Sequence, residues 1–243
     1  MIKNPFDTPT LRVLSVDWDY YIKATEEERD KLFIPSEFEL SEAKAKDNAW
    51  AVCYTSNPEL IDIDIDMAKF TSLQSYMHRF LEFRHYEKNR LVTPYLCAHE
   101  NHGELYTIIH NYLRKHPEKT ELEVVNIDYH HDCFLYGGEN LNCSNWVRLL
   151  YENPDIPFRY SWIRGKDSQP ENNYKMRTYL TLSRFMKFNP KFRPEIIFFC
   201  RSDTWTPPHL DKKLYKFLSP YNRALGIEGF EHLKPRELFD LWD

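Results

Sequence analysis

Short apolar runs alternate with longer amphipathic stretches along this chain, and most of the apolar runs end in polar clusters. Short runs rich in β-branched and aromatic residues are typical of buried strands, and apolar residues at helical spacing are typical of amphipathic helices. The predicted strands are 11–16, 50–54, 91–97, 122–127, 158–163 and 195–200. The predicted helices are a short one within 24–48, then 67–83, 104–115, 143–151, 174–187 and 209–218.

The alternation of strands with helices predicts the fold class. Strands that are separated by helices form a parallel sheet whose two faces are both covered. We therefore expect an α/β fold with three layers, α/β/α, and a mainly parallel sheet. Loops are expected at 136–142 and 164–173, and no internal repeat or domain boundary is visible. The prediction is one domain over residues 1–243.

Composition and charge restrict the classes of function. The net charge is −5, the pI is about 6.1 and no long basic run occurs, so nucleic-acid binding is not expected. Membrane attachment is not expected either, because no apolar stretch of about 18 residues or more occurs. The five cysteines are odd in number, scattered and never spaced as C-x-x-C, which is typical of reduced thiols. These features favour a cytoplasmic protein.

The central motif is DYHHD, residues 128–132, directly after the predicted strand 122–127. Carboxylates and imidazoles at the end of a buried strand are unfavourable unless a cation or hydrogen-bond partners receive them. Asp128 and His130 are two positions apart, so in an extended chain they face the same side, about 6.7 Å apart. Asp132 would lie about 13 Å from Asp128 in a straight strand. The chain must therefore curl after His130 if these side chains are to share a metal site.

A second pair of carboxylates, Asp17 and Asp19, follows the predicted strand 11–16. These two residues are also two positions apart, so in an extended chain both would point to the same side. The alternative reading is a turn or a helix N-cap, where Asp is common. A rival acidic alternation occurs in IDIDIDM, residues 61–67, but it precedes the predicted helix 67–83, where the helix dipole favours acidic residues. Its carboxylates are Asp62, Asp64 and Asp66.

Two more predicted strands end in polar turns, with His102 after strand 91–97 and Asp203 after strand 195–200. The carboxyl edge of an open α/β sheet is where ligands bind. Ligands without cysteine favour manganese, or a hydrolytic zinc or iron(II) site, over structural zinc or an iron–sulfur cluster. Four carboxylates would balance two divalent ions, so two ions are expected. The candidate metal ligands are Asp17, Asp19, His102, Asp128, His130 and Asp132.

These motifs resemble the arginase/deacetylase (ureohydrolase) superfamily, whose members hold two manganese ions with a D-x-H-x-D segment, a D-x-D segment and an upstream histidine. Residues 128–132 match the first segment, residues 15–19 (SVDWD) match an S-x-D-x-D form of the second, and residues 100–102 (ENH) take the place of the histidine turn. The wider pattern is similar to an atypical branch that includes peptide arginases. In typical arginases the D-x-D segment comes second, whereas here it comes first, which implies a rearranged strand order.

The resemblance implies a binuclear manganese hydrolase that converts arginine side chains in a ribosomally made precursor peptide to ornithine and urea. A water made acidic by both ions would attack the guanidinium carbon. The implied assignment places Asp17 and Asp128 between both ions, His102 and Asp132 on one ion, and Asp19 and His130 on the other.

Four further residues have candidate roles. Asp203 is the candidate carboxylate that holds the cationic substrate, with a turn or N-cap as the alternative. His131 is a candidate proton shuttle, although in an extended chain it points away from His130 and could simply pack. Asn145 and Trp205 are the candidate substrate contacts.

A peptide substrate is expected because no motif supplies groups for both ends of a free amino acid, whereas aromatic residues flank the site motifs. The alternatives are a deacetylase or amidohydrolase of the same fold with one zinc, and a binding module that has lost turnover. A homo-oligomer is left open by the sequence. The aromatic residues concerned are Trp18, Tyr20, Tyr21, Tyr129, Trp146 and Trp205.

Overall fold

A six-stranded parallel sheet forms the centre of the fold. The computed structural model describes residues 8–34, 43–82, 85–87, 90–135, 140–170 and 173–236. The strands in chain order are β1 (Thr10–Asp17), β2 (His85–Glu87), β3 (Arg90–Val92), β4 (Tyr95–His99), β5 (Glu121–Ile127), β6 (Phe158–Ile163), β7 (Met176–Tyr179) and β8 (Ile196–Cys200). The sheet has the order β4-β8-β1-β5-β6-β7, and β2 with β3 forms a separate antiparallel ribbon.

Seven α-helices connect and cover the strands in the described part of the chain. They are α1 (Glu26–Leu32), α2 (Ala43–Ser56), α3 (Met67–Glu82), α4 (Glu104–Lys115), α5 (Trp146–Glu152), α6 (Leu182–Phe188) and α7 (Asp211–Leu225). Four 3₁₀ turns are found in the described residues, at Trp18–Tyr21, Pro58–Asp62, Pro208–Leu210 and Phe230–Leu233. None of the helices among these residues is both long and apolar enough to cross a membrane.

Two hydrophobic cores lie on opposite faces of the sheet. Successive residues of a strand point to opposite faces, so Val124 packs with α4 and α5 while Val125 packs with the other helices. The α4 and α5 side carries Leu105 and Trp146, which are fully buried. The opposite core collects buried residues from α1, α2, α3, α6 and α7. The three-layer α/β/α prediction is therefore confirmed.

The strand order places β1 at the centre of the sheet, between β5 and β8. From β1 the chain runs to β4 on one side, then to β5, β6 and β7 on the other, and β8 returns to fill the gap beside β1. The connections therefore diverge from β1 in both directions. Such a divergence opens a crevice at the carboxyl ends of the strands. The candidate residues lie at these ends.

Two predicted elements are wrong. The stretch 50–54 is not a strand but part of α2, where Trp50 and Tyr54 are buried on one side and Val52 between them is 65% exposed. The first half of the predicted helix 174–187 is the edge strand β7, and the helix α6 starts only after Thr181, whose side chain caps it by accepting from Arg184 N. Tertiary pairing with β6 decides the conformation of this first half.

Other boundaries differ by smaller amounts. The predicted strand 91–97 is divided into the end of β3 and the start of β4, and the predicted helix 209–218 begins as a 3₁₀ turn and continues as α7 to Leu225. Helix α4 and strand β6 have the predicted bounds. Part of the charged stretch 24–48 and of the predicted loop 136–142 lies outside the described residues. No disulfide joins any two of the five cysteines, all of which are described.

A tight contact holds the C-terminal turn on β4. Gly229 has φ 75°, and a Cβ there would lie 2.3 Å from the carbonyl oxygen of Ala98. Two backbone hydrogen bonds join the residue before this glycine to β4: Ala98 N donates to Glu228 O at 2.8 Å, and Glu228 N donates to Leu96 O at 3.0 Å. The turn therefore approaches the strand so closely that only glycine fits.

We expect Gly229→Ala to lower the free energy of unfolding by about 3 kcal/mol or more, because strain at positive φ is added to a backbone clash. Gly226→Ala is the control for strain without a clash, since Gly226 has φ 73° and ψ 130°, against φ 75° and ψ 12° at Gly229, and a Cβ there would meet none of the described residues within 4 Å. Strain alone should cost the control about 1–3 kcal/mol. Denaturant unfolding measures both losses, and a loss below about 1 kcal/mol in Gly229→Ala would contradict the clash.

Candidate metal centre

The two acidic motifs follow neighbouring strands that are aligned in register. Strands β1 and β5 pair with Val16 opposite Ile127, so Asp17 and Asp128 leave the sheet side by side. Both are buried, with 2% and 1% of their surface exposed. Two buried carboxylates next to each other repel, so the arrangement requires compensating positive charge.

The chain curls after β5, as the sequence requires for a shared site. His130 N donates to Asp128 Oδ1 at 2.8 Å, which turns the backbone immediately after the strand. Asp132 then has φ 54°, a left-handed conformation that is unfavourable for a residue other than glycine. The curl returns the carboxylate of Asp132 towards the sheet, where it meets His102.

His102 reaches the same point from the turn after β4. Its Nδ1 lies 3.0 Å from Asp17 Oδ2, 3.2 Å from Asp128 Oδ2 and 3.1 Å from Asp132 Oδ2. None of these three contacts has the direction of a hydrogen bond, and Nδ1 has no hydrogen-bond partner among the described residues. On the other side of the ring, Nε2 is 2.6 Å from Ser15 Oγ.

These distances fit a shared cation. Octahedral ligands at about 2.1 Å from an ion are about 3.0 Å from their neighbours, which is close to the distances from His102 Nδ1 to the carboxylates. A neutral ring that donates from Nε2 to Ser15 would direct the Nδ1 lone pair at the carboxylates, which is repulsive without an ion between them. Histidines that bind metals commonly hold their second nitrogen in this way. The geometry fits His102 as a ligand through Nδ1.

A second group of potential ligands lies beside the first. His130 Nδ1 is 3.0 Å from Asp19 Oδ2, and this buried oxygen also lacks a hydrogen-bond partner in the described part of the chain. Potential ligand atoms of Asp19, Asp128 and His130 lie within 4.8 Å of one another, and so do those of His102, Asp128 and Asp132. Asp128 belongs to both groups, which suits a carboxylate that contacts two ions.

Asp17 contacts the first group through His102. Its Oδ2 lies near the His102 ring and accepts a short hydrogen bond from Ser202 Oγ, and its Oδ1 accepts from Asp19 N at 3.1 Å. Its carboxylate also groups with His102 and the Cys200 thiol. The structure thus places Asp17 at the centre, while its role as a second bridging ligand stays a prediction.

Burial and like charge perturb the central carboxylates. Burial, with the charges of Asp19 and Asp128, raises the pKa of Asp17 to about 7. Burial, with the charges of Asp132 and Asp19, raises the pKa of Asp128 to about 8. Burial acts against the charged His102 ring, yet the neighbouring carboxylates, Asp132 first, raise the pKa of this histidine well above its ordinary value. In the metal-free protein, protons take the place of the positive charge that the site requires.

Asp19 behaves differently from the two central carboxylates. Although burial acts to raise the pKa of Asp19, the close contact with His130 and the charge of that ring lower it, and the charge of Arg29 adds to this. Arg29 is itself buried, donates from Nη2 to Asp19 O at 2.8 Å and stacks 3.9 Å above the Tyr129 ring. Asp19 is therefore ionised at neutral pH.

Several supporting contacts were not predicted from the sequence. Trp146 Nε1 donates to Asp132 Oδ2 at 2.6 Å, and Asn126 Nδ2 donates to Asp128 Oδ2 at 2.9 Å. Ser202, which holds Asp17, has φ 51°, a second left-handed residue beside the centre. A signal existed for Asn126 alone, because it is a polar residue inside an apolar strand, two positions before Asp128 on the same face.

The structure gives Asp203 and His131 other partners than those predicted. Both carboxylate oxygens of Asp203 accept from Arg201, at 2.5 and 3.2 Å, which leaves little charge for a cationic substrate. His131 Nδ1 accepts from Cys133 N at 3.0 Å, and its ring stacks 4.2 Å from Phe134. The substrate-holding and proton-transfer roles stay predictions, but this geometry favours loop-stabilising roles for both.

Of the two predicted substrate contacts, only Trp205 is placed at the centre. Its ring lies 4.6 Å from the ring of His130 and is partly exposed. Asn145 is fully buried, with Oδ1 accepting from Asn142 N at 2.9 Å and Nδ2 donating to Asn140 O at 2.8 Å. Asn145 therefore organises its own loop in this structure.

The rival acidic alternation before α3 serves the helix. Asp66 Oδ1 accepts from the backbone N of Ala68 and Lys69, at 3.0 and 3.2 Å, as an N-cap does. Asp64 pairs with Lys213 on the surface. Of the three carboxylates, Asp66 is thus used at the start of the helix, as predicted.

Comparison of the chain with protein-family models, with characterised proteins and with solved structures found no match. The case for a function therefore depends on the geometry of the centre and on the motifs of the sequence.

Proposed function

We propose that the protein is a binuclear metal hydrolase that acts on the guanidinium group of arginine in a peptide and releases ornithine and urea. The observation that carries this proposal is the pair of ligand groups that share Asp128. A carboxylate common to two Asp/His groups is the arrangement that holds two ions about 3.5–4 Å apart. The resemblance of the motifs to arginases supports the reaction and the substrate.

The ligands favour manganese for both positions. Each group has two carboxylates and one imidazole, and neither uses a thiolate. Oxygen-rich sites suit manganese, and the three carboxylates of these groups together with Asp17, which lies 3.0 Å from His102 Nδ1, would neutralise two divalent ions. Among the candidate metal residues, Asp19, Asp128 and His130 would hold one ion and His102, Asp128 and Asp132 the other.

Two such ions would supply an acidified water as the nucleophile near neutral pH. The protein residues have separate tasks. Ser15 holds the His102 ring in the orientation that presents Nδ1, and Trp146 holds Asp132 through a hydrogen bond of 2.6 Å. Since these partners are buried, the ligands are fixed before substrate binds.

The exposed side of the centre supports an arginine side chain as substrate. His130 is the partly exposed member of the ligand groups, so substrate would approach from its side. Trp205 flanks His130 on this side, with its partly exposed ring 4.6 Å from the ring of His130. Aromatic faces stack well on a planar guanidinium and on its aliphatic stem.

A deacetylase or amidohydrolase with one zinc is the second candidate. One ion would need a single histidine-containing group, whereas the structure brings two together around Asp128. A binding module without turnover would not require the six candidate ligands to converge. The binuclear hydrolase is therefore preferred.

The test is mass spectrometry of an arginine-containing peptide incubated with the manganese-loaded protein. Hydrolysis of the guanidinium group consumes one water and releases urea. The peptide therefore loses CH2N2, about 42 Da, for each arginine that is converted to ornithine. Asp17→Asn should abolish this loss, while Asp64→Asn, which changes a surface carboxylate paired with Lys213, should retain it.

Turnover of free arginine is compared with that of the peptide under the same manganese loading. Equal or better turnover of free arginine would defeat the peptide substrate, and acetate release from an acetylated peptide would defeat the reaction.

A further inference from the structure

A second group of metal-binding side chains lies outside the candidate centre, where the C-terminal turn meets the end of β4. Its members are His99, Glu100 and His232, whose potential ligand atoms lie within 4.8 Å of one another. We propose that these residues form a separate site for one divalent ion of the zinc type, which joins the C-terminal turn to the loop after β4.

The distances within this group fit a single tetrahedral ion. Glu100 Oε2 lies 3.2 Å from His232 Nδ1 and 3.7 Å from His99 Nδ1, and the two imidazole rings are 4.6 Å apart. Ligands at about 2.1 Å from a tetrahedral zinc are about 3.4 Å from one another. Two histidines and one glutamate with a fourth position open to solvent are an established type of zinc site.

The glutamate oxygen supplies the second observation. Glu100 Oε2 is shielded from solvent, and no donor in the described part of the chain forms a directed hydrogen bond with it. A buried carboxylate oxygen without such a partner is unfavourable. An ion between Glu100 and the two rings would satisfy this oxygen and explain why His232 lies close to it without a hydrogen bond.

The backbone holds the three side chains together. Gly229 allows the turn Phe230–Leu233 to touch β4 at Ala98, which places His232 above the end of the strand. Nδ1 of His99 accepts a hydrogen bond from Asn101 N at 3.1 Å, so an ion must compete with one backbone donor for this nitrogen. The competition predicts micromolar affinity, weaker than that of a closed structural zinc site.

This site would also lie next to the candidate centre in the chain, although the two share no ligand. Glu100 is two residues before His102 in the same turn, and its carbonyl accepts from Asp203 N at 3.4 Å. An ion at Glu100 would restrain the turn that presents His102. The expected role is to stabilise this turn.

The test is the zinc stoichiometry at about 10 µM free Zn²⁺, measured by equilibrium dialysis and elemental analysis, a concentration at which a micromolar site is nearly full. His232→Ala should bind one ion fewer than the unsubstituted protein. His116→Ala is the matched control, because His116 is 41% exposed against 43% for His232 and contacts Glu118 at 3.1 Å, but belongs to no group of three potential ligands in the described residues. The control should lose no ion.

The same comparison is made in the Asp128→Asn background, where the candidate centre is disabled. One ion lost on adding His232→Ala in this background supports the second site even if the hydrolase proposal fails. If His232→Ala and His116→Ala bind the same number of zinc ions per chain in both backgrounds, the proposed second site is overturned. Glu100→Gln should reproduce the loss, and circular dichroism verifies that each variant is folded.

Discussion

Replacement of Asp128 by Asn should remove both ions of the candidate centre. Asp128 belongs to both ligand groups, and each has only two other described members. Asn keeps the size of the side chain but removes the charge that a divalent ion requires. We expect bound manganese, measured by elemental analysis after dialysis, to fall from about two ions per chain to almost none. Hydrolysis of the peptide should fall by a factor of about a thousand or more.

Asp62→Asn is the matched control for this loss. Asp62 is an exposed carboxylate in the turn before α3 and belongs to no ligand group among the described residues. The Asp62→Asn variant loses the same charge as Asp128→Asn and should retain both ions. Full manganese occupancy in Asp128→Asn would contradict the assignment of a shared ligand. Loss of one ion alone would assign Asp128 to a single position.

The strand-end residues could be predicted because their burial conflicts with their polarity. A carboxylate directly after a buried parallel strand must lie at the carboxyl edge of the sheet, so Asp17 and Asp128 could be placed without a structure. Their pairing in space could not, because it depends on β1 and β5 being neighbours in register. The order of strands is a tertiary property that a local pattern does not contain.

Side chains that act through loops were harder to predict. Ser202 reaches Asp17 only because it adopts φ 51°, and nothing in its local sequence indicates a left-handed serine. The sequence predicts a substrate-binding carboxylate or a turn residue at Asp203, and in the structure Arg201, two positions earlier, neutralises it. A sequence containing R-x-D after a strand is compatible with both readings. The direction of each side chain decides between them.

The metal-free protein should lose stability as the pH rises, since protons then leave the centre. The pKa of Asp17 is raised to about 7 and that of Asp128 to about 8, chiefly by burial and then by neighbouring carboxylates. Carboxylates with raised pKa values bind protons more tightly in the folded than in the unfolded state, so stability falls between the unfolded and folded pKa values. The raised pKa of His102 acts in the same direction, because its contribution is lost as the pH rises through the folded value.

We therefore expect chelated protein to be less stable at pH 8.5 than at pH 6 by about 1–3 kcal/mol, measured by denaturant unfolding in the presence of EDTA. Manganese should stabilise the protein more at pH 8.5, because ligands that have already lost their protons bind the ion without competition. The chelated Asp128→Asn variant should show a smaller fall, since the carboxylate with the higher of these two pKa values is gone. The same variant should be more stable than the unsubstituted chelated protein at pH 8.5, although it binds no metal. Chelated protein that gains stability between pH 6 and 8.5 would show that Asp17 and Asp128 are already ionised and compensated within the fold, and would remove the need for an ion at this centre.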